Sequence, residues 1–320
     1  MRLIAYYATW SVYGRNYFFK DLPIESLTHV TLAFALPIED GSLDCTEFNR
    51  LNVAELRERG GVGLKIGIAV GGWGACNAFT AATGAEECRN KLISSCLELF
   101  ATYNLDYLEF DWEYPTTTEQ IENLKSVLMG LKELLPPEKQ LSICLPCYEN
   151  GFVATELVSL VDFFILMGYD LSGTWSELSG HHSALHPKIS EHVQHLNLRE
   201  MIPKEKIVLG CPLYARTFSD CKGPNKKFKG PGIGSFGDEG TMDYRDVVKM
   251  CKEIIYDPKT VSQYSIYKKN FVSFEGPLSL EKKCEWVREQ ELGGIAFWNS
   301  AGDALGDNSL IRIAANNLKR

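Results

Sequence analysis

The sequence predicts a (β/α)8 barrel, a closed ring of parallel strands alternating with helices, with a small α+β insertion between the seventh and eighth strands. Three observations lead there. Short apolar runs rich in Val, Ile and Phe recur along the 320 residues. Helical periodicity or a polar loop follows each run. One run, with the residues that directly follow it, also carries three carboxylates on a single face.

The runs are Leu3–Ala8, Thr28–Ala35, Leu64–Val70, Leu105–Asp111, Leu141–Pro146, Val161–Met167, Lys206–Pro212 and Gly294–Trp298. Strands buried on both faces read as such continuous apolar segments. Between the fourth and fifth runs, Ile121, Leu124, Leu128, Leu131 and Leu135 repeat at helical spacing. A Thr116-x-x-Glu119 capping signature precedes them, and Pro136 with Pro137 ends the pattern. This is a crossover helix. A doubly wound open sheet would give a similar alternation, and the strand count favours the barrel. The longest interruption, 220–276, is rich in Gly, Lys and Tyr and contains β-like pieces such as Gln263–Tyr267. The expected division is therefore a barrel from 1–219 and 277–320, with 220–276 as a subdomain beside the C-terminal mouth, where barrel enzymes carry their active sites.

With 45% hydrophobic and 23% charged residues, the composition is that of an ordered globular chain. A formal charge of -8 repels polyanions, so a nucleic-acid partner is not expected and a neutral substrate fits better. The basic stretch Lys222–Lys229 reads as a solvated loop. No apolar run approaches the ~20 residues of a membrane span, and the first strand begins after Met1 without a signal-peptide pattern. No N-x-Ser/Thr sequon occurs. Of the 10 cysteines, Cys96, Cys144 and Cys211 fall in apolar segments as small hydrophobes, and Cys144-x-x-Cys147 lacks the second pair a zinc site needs. His181, His182 and His186 cluster without a carboxylate or Cys to complete a metal pattern. Gly71-Gly72-Trp73-Gly74 has no following Lys-Ser or Lys-Thr and no G-x-G-x-x-G frame, which argues against a nucleotide site. No cofactor and no metal are expected, and the chain is expected to be a monomer.

The chemistry concentrates in residues 105–115, LDYLEFDWEYP. Strand alternation puts Leu108, Phe110 and Trp112 on one face and Glu109, Asp111 and Glu113 on the other. In an antiparallel sheet the polar row would simply face water. In a barrel the apolar row packs under the helices, so the carboxylates project inward toward the mouth. Side chains two apart on a strand are about 6.6 Å apart at the backbone, close enough to raise one another's pKa. A carboxyl kept protonated near neutral pH is a general acid.

The segment resembles the fourth-strand signature D-G-x-D-x-D-x-E of glycoside hydrolase family 18, the chitinase family; here it reads Asp106, Tyr107, Leu108, Glu109, Phe110, Asp111, Trp112, Glu113. Gly71-Gly72-Trp73 looks like the family's third-strand motif, Met167-Gly168-Tyr169-Asp170 its M-x-Y-D, and Gly210–Arg216 its G-x-P-x-Y-x-R. The resemblance implies hydrolysis of β-1,4 bonds between N-acetylglucosamine units of chitin or chito-oligosaccharides, by a substrate-assisted and retaining route. It implies Glu113 as acid and base, Asp111 and Tyr169 as holders of the acetamido group, and Glu109 as the neighbouring acid. Trp298 would be the floor of the sugar site, Trp10 and Trp73 further subsites, and Met167, Asp170, Tyr214 and Arg216 would surround the reacting sugar.

Three positions depart from the pattern: Glu109 stands for Asp, Tyr107 for Gly and Ala69 for Ser. They predict a repacked barrel interior, a partner for the Tyr107 hydroxyl, and reduced or pH-shifted activity. The alternative within the family is a lectin that binds chitin oligomers without cleaving them; an endoglycosidase of N-glycan cores fits the insertion and the aromatic track less well. The substrate class favours an extracellular setting, although no leader precedes the first strand.

Overall fold

The structure, a computed structural model, describes residues 1–319. Its main sheet runs β1 (Arg2–Ala8), β2 (His29–Pro37), β3 (Leu43–Asp44), β4 (Lys65–Gly71), β5 (Tyr107–Asp111), β6 (Gln140–Pro146), β7 (Phe163–Met167) and β8 (Ile207–Pro212), with β14 (Gly294–Trp298) completing it. Apart from β3, a short antiparallel addition to β2, every pairing is parallel. Strand β1 bonds to both β2 and β14, so the ring closes and leaves no edge. All the apolar runs became barrel strands, with ends moved by at most two residues.

The outer faces of the strands meet helices α1 (Val53–Gly60), α2 (Cys76–Gly84), α3 (Glu86–Tyr103), α4 (Thr118–Leu134) and α5 (Ser190–Leu198) in one large core. A second cluster, including Ile4, Tyr6, Ala69, Tyr107, Phe163 and Val208, fills the barrel. Alternation along β5 therefore sorts as expected: Leu108, Phe110 and Trp112 join the outer core, and Trp112 stacks on Phe79 of α2 at 5.0 Å. The cap of α4 differs from the expected Thr116-x-x-Glu119. Thr117 is the N-cap, and Gln120 Oε1 accepts from both Thr116 N and Thr117 N at 2.9 and 3.1 Å. One carbonyl thus satisfies two free amides, which shifts the box by one residue.

A second, antiparallel sheet has the order β10-β9-β13-β12-β11, formed by β9 (Tyr214–Phe218), β10 (Thr241–Asp243), β11 (Ile255–Asp257), β12 (Ser262–Tyr267) and β13 (Asn270–Phe274). Helix α6 (Tyr244–Met250) follows β10. Because β9 leaves the barrel wall directly after β8, this sheet begins at Tyr214, ahead of residue 220; α7 (Pro277–Glu289) and α8 (Leu310–Leu318) return to the barrel. A buried ion pair holds the seam. Lys283 contacts Glu275 and donates to Ser183 O at 2.6 Å and Ser183 Oγ at 2.7 Å, while Ser183 Oγ donates to Gly168 O at 2.7 Å. No helix among the described residues is long and apolar enough to cross a membrane.

Candidate active site

Strand β5 delivers the carboxylates in order of depth. Glu109 is fully buried inside the barrel, Asp111 ends the strand and is buried, and Glu113, just past it, is half-buried. Glu109 is held by hydroxyls from two other strands: Tyr6 of β1 donates to one oxygen, and Ser142 of β6 donates to the other at 3.1 Å. Burial still pushes Glu109 up to about 7, against the pull of those bonds. Asp111 is raised by burial and then by the charge of Glu109, and its Oδ1 has no hydrogen-bond partner among the described residues. Burial raises Glu113 to about 8, helped by the charges of Asp111 and Asp170. The row is thus a ladder of mutually repelling acids whose outermost member holds its proton longest.

Glycines let the neighbouring strand approach. Gly71 has φ 114°, and Gly72 N donates to Asp111 O at 2.8 Å. A Cβ on Gly71 would lie 2.3 Å from Asp111 O, and one on Gly72 would lie 2.7 Å from the Phe34 ring. Deeper down, the Tyr107 ring fills the space a Cβ on Gly67 would need, at 2.4 Å, and its hydroxyl meets Thr31 Oγ1 at 2.7 Å. The departure at Tyr107 is accommodated by a missing side chain on one strand and a hydroxyl on another.

At the mouth, Trp298 ends β14 and stacks on Phe34 at 5.3 Å; Phe34 in turn stacks on Trp10 at 6.0 Å. Trp298 also takes the edge of Tyr6 at 5.4 Å. Met167 lines the barrel interior, and Tyr169, just beyond β7, meets Tyr214 edge-on at 6.1 Å. Asp170, at φ 57°, receives Arg216 Nε and Nη2 at 2.7 Å each. Despite burial, the facing His182 ring and the bonds and charge of Arg216 hold the Asp170 carboxyl well below the usual range. Trp73 is 85% exposed and stacks on no ring among the described residues, so the structure does not join it to the other aromatics.

Phe34, Ser142, Tyr6 and Trp175 escaped the sequence reading. Trp175 is an exposed ring with the Arg216 guanidinium 5.0 Å from its centre. Its signal was a lone Trp in a Ser- and Gly-containing loop after a strand end. The histidine trio separates: His181 faces Asp257 at 3.5 Å, His182 faces Asp170 at 3.6 Å, and His186 pairs with Ser190 at 2.9 Å. Among the described residues, no group of three or more His, Cys, Asp or Glu side chains is placed to hold a metal.

A parallel barrel with a ladder of acids at one strand end and stacked aromatic rings beside it has the parts that glycoside hydrolysis needs. The model of glycosyl hydrolases family 18 matches residues 2–303, and the chain belongs to that family. Endochitinase 1 of Metarhizium robertsii is 26% identical over 98% of this chain and 84% of its own length. The Group IV chitinase of Ostrinia furnacalis superposes with a TM-score of 0.91 at 24% identity, covering 100% of both chains. A mutant class V chitinase from Nicotiana tobaccum, in complex with NAG4, gives 0.89 at 20% identity, covering 100% of this chain and 99% of that one.

Proposed function

We propose that the protein hydrolyses β-1,4 bonds between N-acetylglucosamine units in chitin or chito-oligosaccharides, by a retaining, substrate-assisted mechanism with Glu113 as acid and base. The observation that carries this reading is Glu113 itself. It is half-buried at the strand end, its proton is held up to about 8, and Asp111 lies below it on the same face. Glu113 protonates the leaving oxygen while the acetamido oxygen of the substrate attacks the anomeric carbon, giving an oxazolinium ion. Water then opens that ring with retention, and Glu113 takes the proton back. Asp111 steadies the acetamido nitrogen and Tyr169 its carbonyl oxygen. Trp298 is the floor beneath the reacting sugar, with Met167, Asp170, Tyr214 and Arg216 around it and Trp10 and Trp73 as outer subsites.

The family relatives named as chitinases and the oligosaccharide-bound neighbour support the substrate class. The test is hydrolysis of a fluorogenic chito-oligosaccharide over roughly pH 3 to 9 by the wild type and Glu113→Gln. Turnover abolished with binding retained is the expected result. A wild type that binds the oligomer without cleaving it would instead make the chain a lectin.

A further inference from the structure

His182 stands behind the cleft wall rather than in it. It is fully buried, and its main chain is pinned on both sides: its N donates to Ser273 Oγ at 3.2 Å, and its O accepts from Leu171 N at 3.0 Å. The ring lies 5.2 Å from that of Tyr214, and Nδ1 lies 3.6 Å from Asp170 Oδ1, too long for a closed hydrogen bond. Neither ring nitrogen has a hydrogen-bond partner among the described residues. A buried, unpaired donor is costly, and native structures rarely keep one without a use.

Geometry narrows that use. The charged groups around the ring are Asp170, Arg216 and Glu275. Burial lowers the pKa of His182, so near neutral pH the ring is uncharged and carries a single N–H. Asp170 accepts one Arg216 N–H on each oxygen, Tyr214 also bonds to it, and His182 Nδ1 is a further group facing Oδ1. Asp170 also sits at φ 57°, a backbone conformation that a non-glycine residue holds only when its surroundings fix it.

We propose that His182 is a positioning residue for sugar binding: as the Nδ1–H tautomer it holds a donor ready beside the Asp170 carboxylate while its ring backs Tyr214 as part of one cleft wall. The proposal rests on reading that cleft as the oligosaccharide site. When Asp170 accepts a sugar hydroxyl, the waiting Nδ1–H closes on Oδ1 and completes its shell. The effect falls on binding, since the charged groups that act on His182 are Asp170, Arg216 and Glu275.

Two measurements separate this inference from the reading beneath it. Nitrogen-15 NMR of the imidazole in the free protein reads the tautomer without any substrate; Nδ1–H is expected, and Nε2–H would overturn the proposal even if turnover is found. Kinetics and binding with chitotetraose then compare wild type, His182→Phe and His182→Asn. The Phe variant keeps a ring against Tyr214 without a donor, and is expected to raise KM and Kd about tenfold with kcat within about threefold. The Asn variant, able to present an N–H to Asp170, is expected to recover most of that loss. Unchanged KM in His182→Phe would overturn the proposal, as would an Asn variant that is folded by melting temperature yet binds no better than the Phe variant. A wild type that binds no chito-oligosaccharide would reject the substrate reading, while the tautomer would still judge the contact.

Discussion

Ser142 and Glu109 are register partners on adjacent barrel strands, and the serine hydroxyl donates to the glutamate at 3.1 Å. With Tyr6 on the other oxygen, the buried carboxylate is hydrogen-bonded on both sides and still has its pKa raised to about 7. The strand position that carries Ala69 offers no hydroxyl, so the donor arrives from the opposite neighbour, β6.

That raised pKa makes stability depend on pH with a definite sign. The folded state holds the Glu109 proton up to about 7, whereas the ordinary value is 4.5. Between those values the folded protein binds more protons than the unfolded chain, so the contribution of Glu109 is complete below the ordinary value and lost as pH rises through about 7. Glu109→Gln removes this penalty, and both hydroxyls can rotate to suit an amide. Melting curves should find the variant stabilised by up to about 3 kcal/mol above neutral pH, and little changed near pH ~4. A gain that is the same at both pH values would mean that ionisation of Glu109 is not its source.

Asp111 raises the pKa of Glu113 through its charge. If Glu113 is the acid, kcat/KM should fall on the alkaline side with an apparent pKa near 8. Asp111→Asn removes one negative neighbour and should move that limb to lower pH, besides slowing turnover by about a hundredfold or more. An unmoved limb would mean that the charge of Asp111 does not contribute to the shift in Glu113.

What the sequence disclosed follows from how each feature is encoded. The barrel strands were legible because strands covered on both faces are written as unbroken apolar runs, and the acid ladder because a strand has a period of two. Ser142 was not, since a serine within an apolar run gains meaning only from a register with Glu109 that spans a crossover helix. Phe34 was hidden for the same reason: it meets Trp10 and Trp298 only once β1, β2 and β14 close the ring. The α4 cap slipped by one because Thr116 and Thr117, with Glu119 and Gln120, offer two overlapping boxes.

The Tyr107 ring and Gly67 form a complementary pair across β4 and β5, also beyond the reach of local pattern. Gly67→Ala would put a methyl 2.4 Å from a ring packed on all sides, and should destabilise the fold by about 1–3 kcal/mol. Combining it with Tyr107→Ala should recover part of that loss in a double-mutant cycle followed by urea unfolding. Strict additivity would show that the ring is not what excludes the methyl.

Lys283 and Glu275 make the strongest claim on stability. Both are essentially inaccessible, and the pair ties the end of β13 to α7 while the lysine reaches the backbone of Ser183. Lys283→Met keeps most of the side chain's length but leaves Glu275 as an uncompensated charge, with Ser279 still donating to it. Loss of one member of a buried pair costs about 3–5 kcal/mol, and the melting temperature should drop accordingly. Adding Glu275→Gln removes the stranded charge, so the double variant should be more stable than Lys283→Met alone. The readout extends to the cleft, because Ser183 also donates to Gly168 O, the residue before Tyr169. The Lys283→Met variant should therefore lose affinity for chitotetraose at temperatures where it remains folded. Unchanged binding there would mean that the seam carries stability without shaping the site.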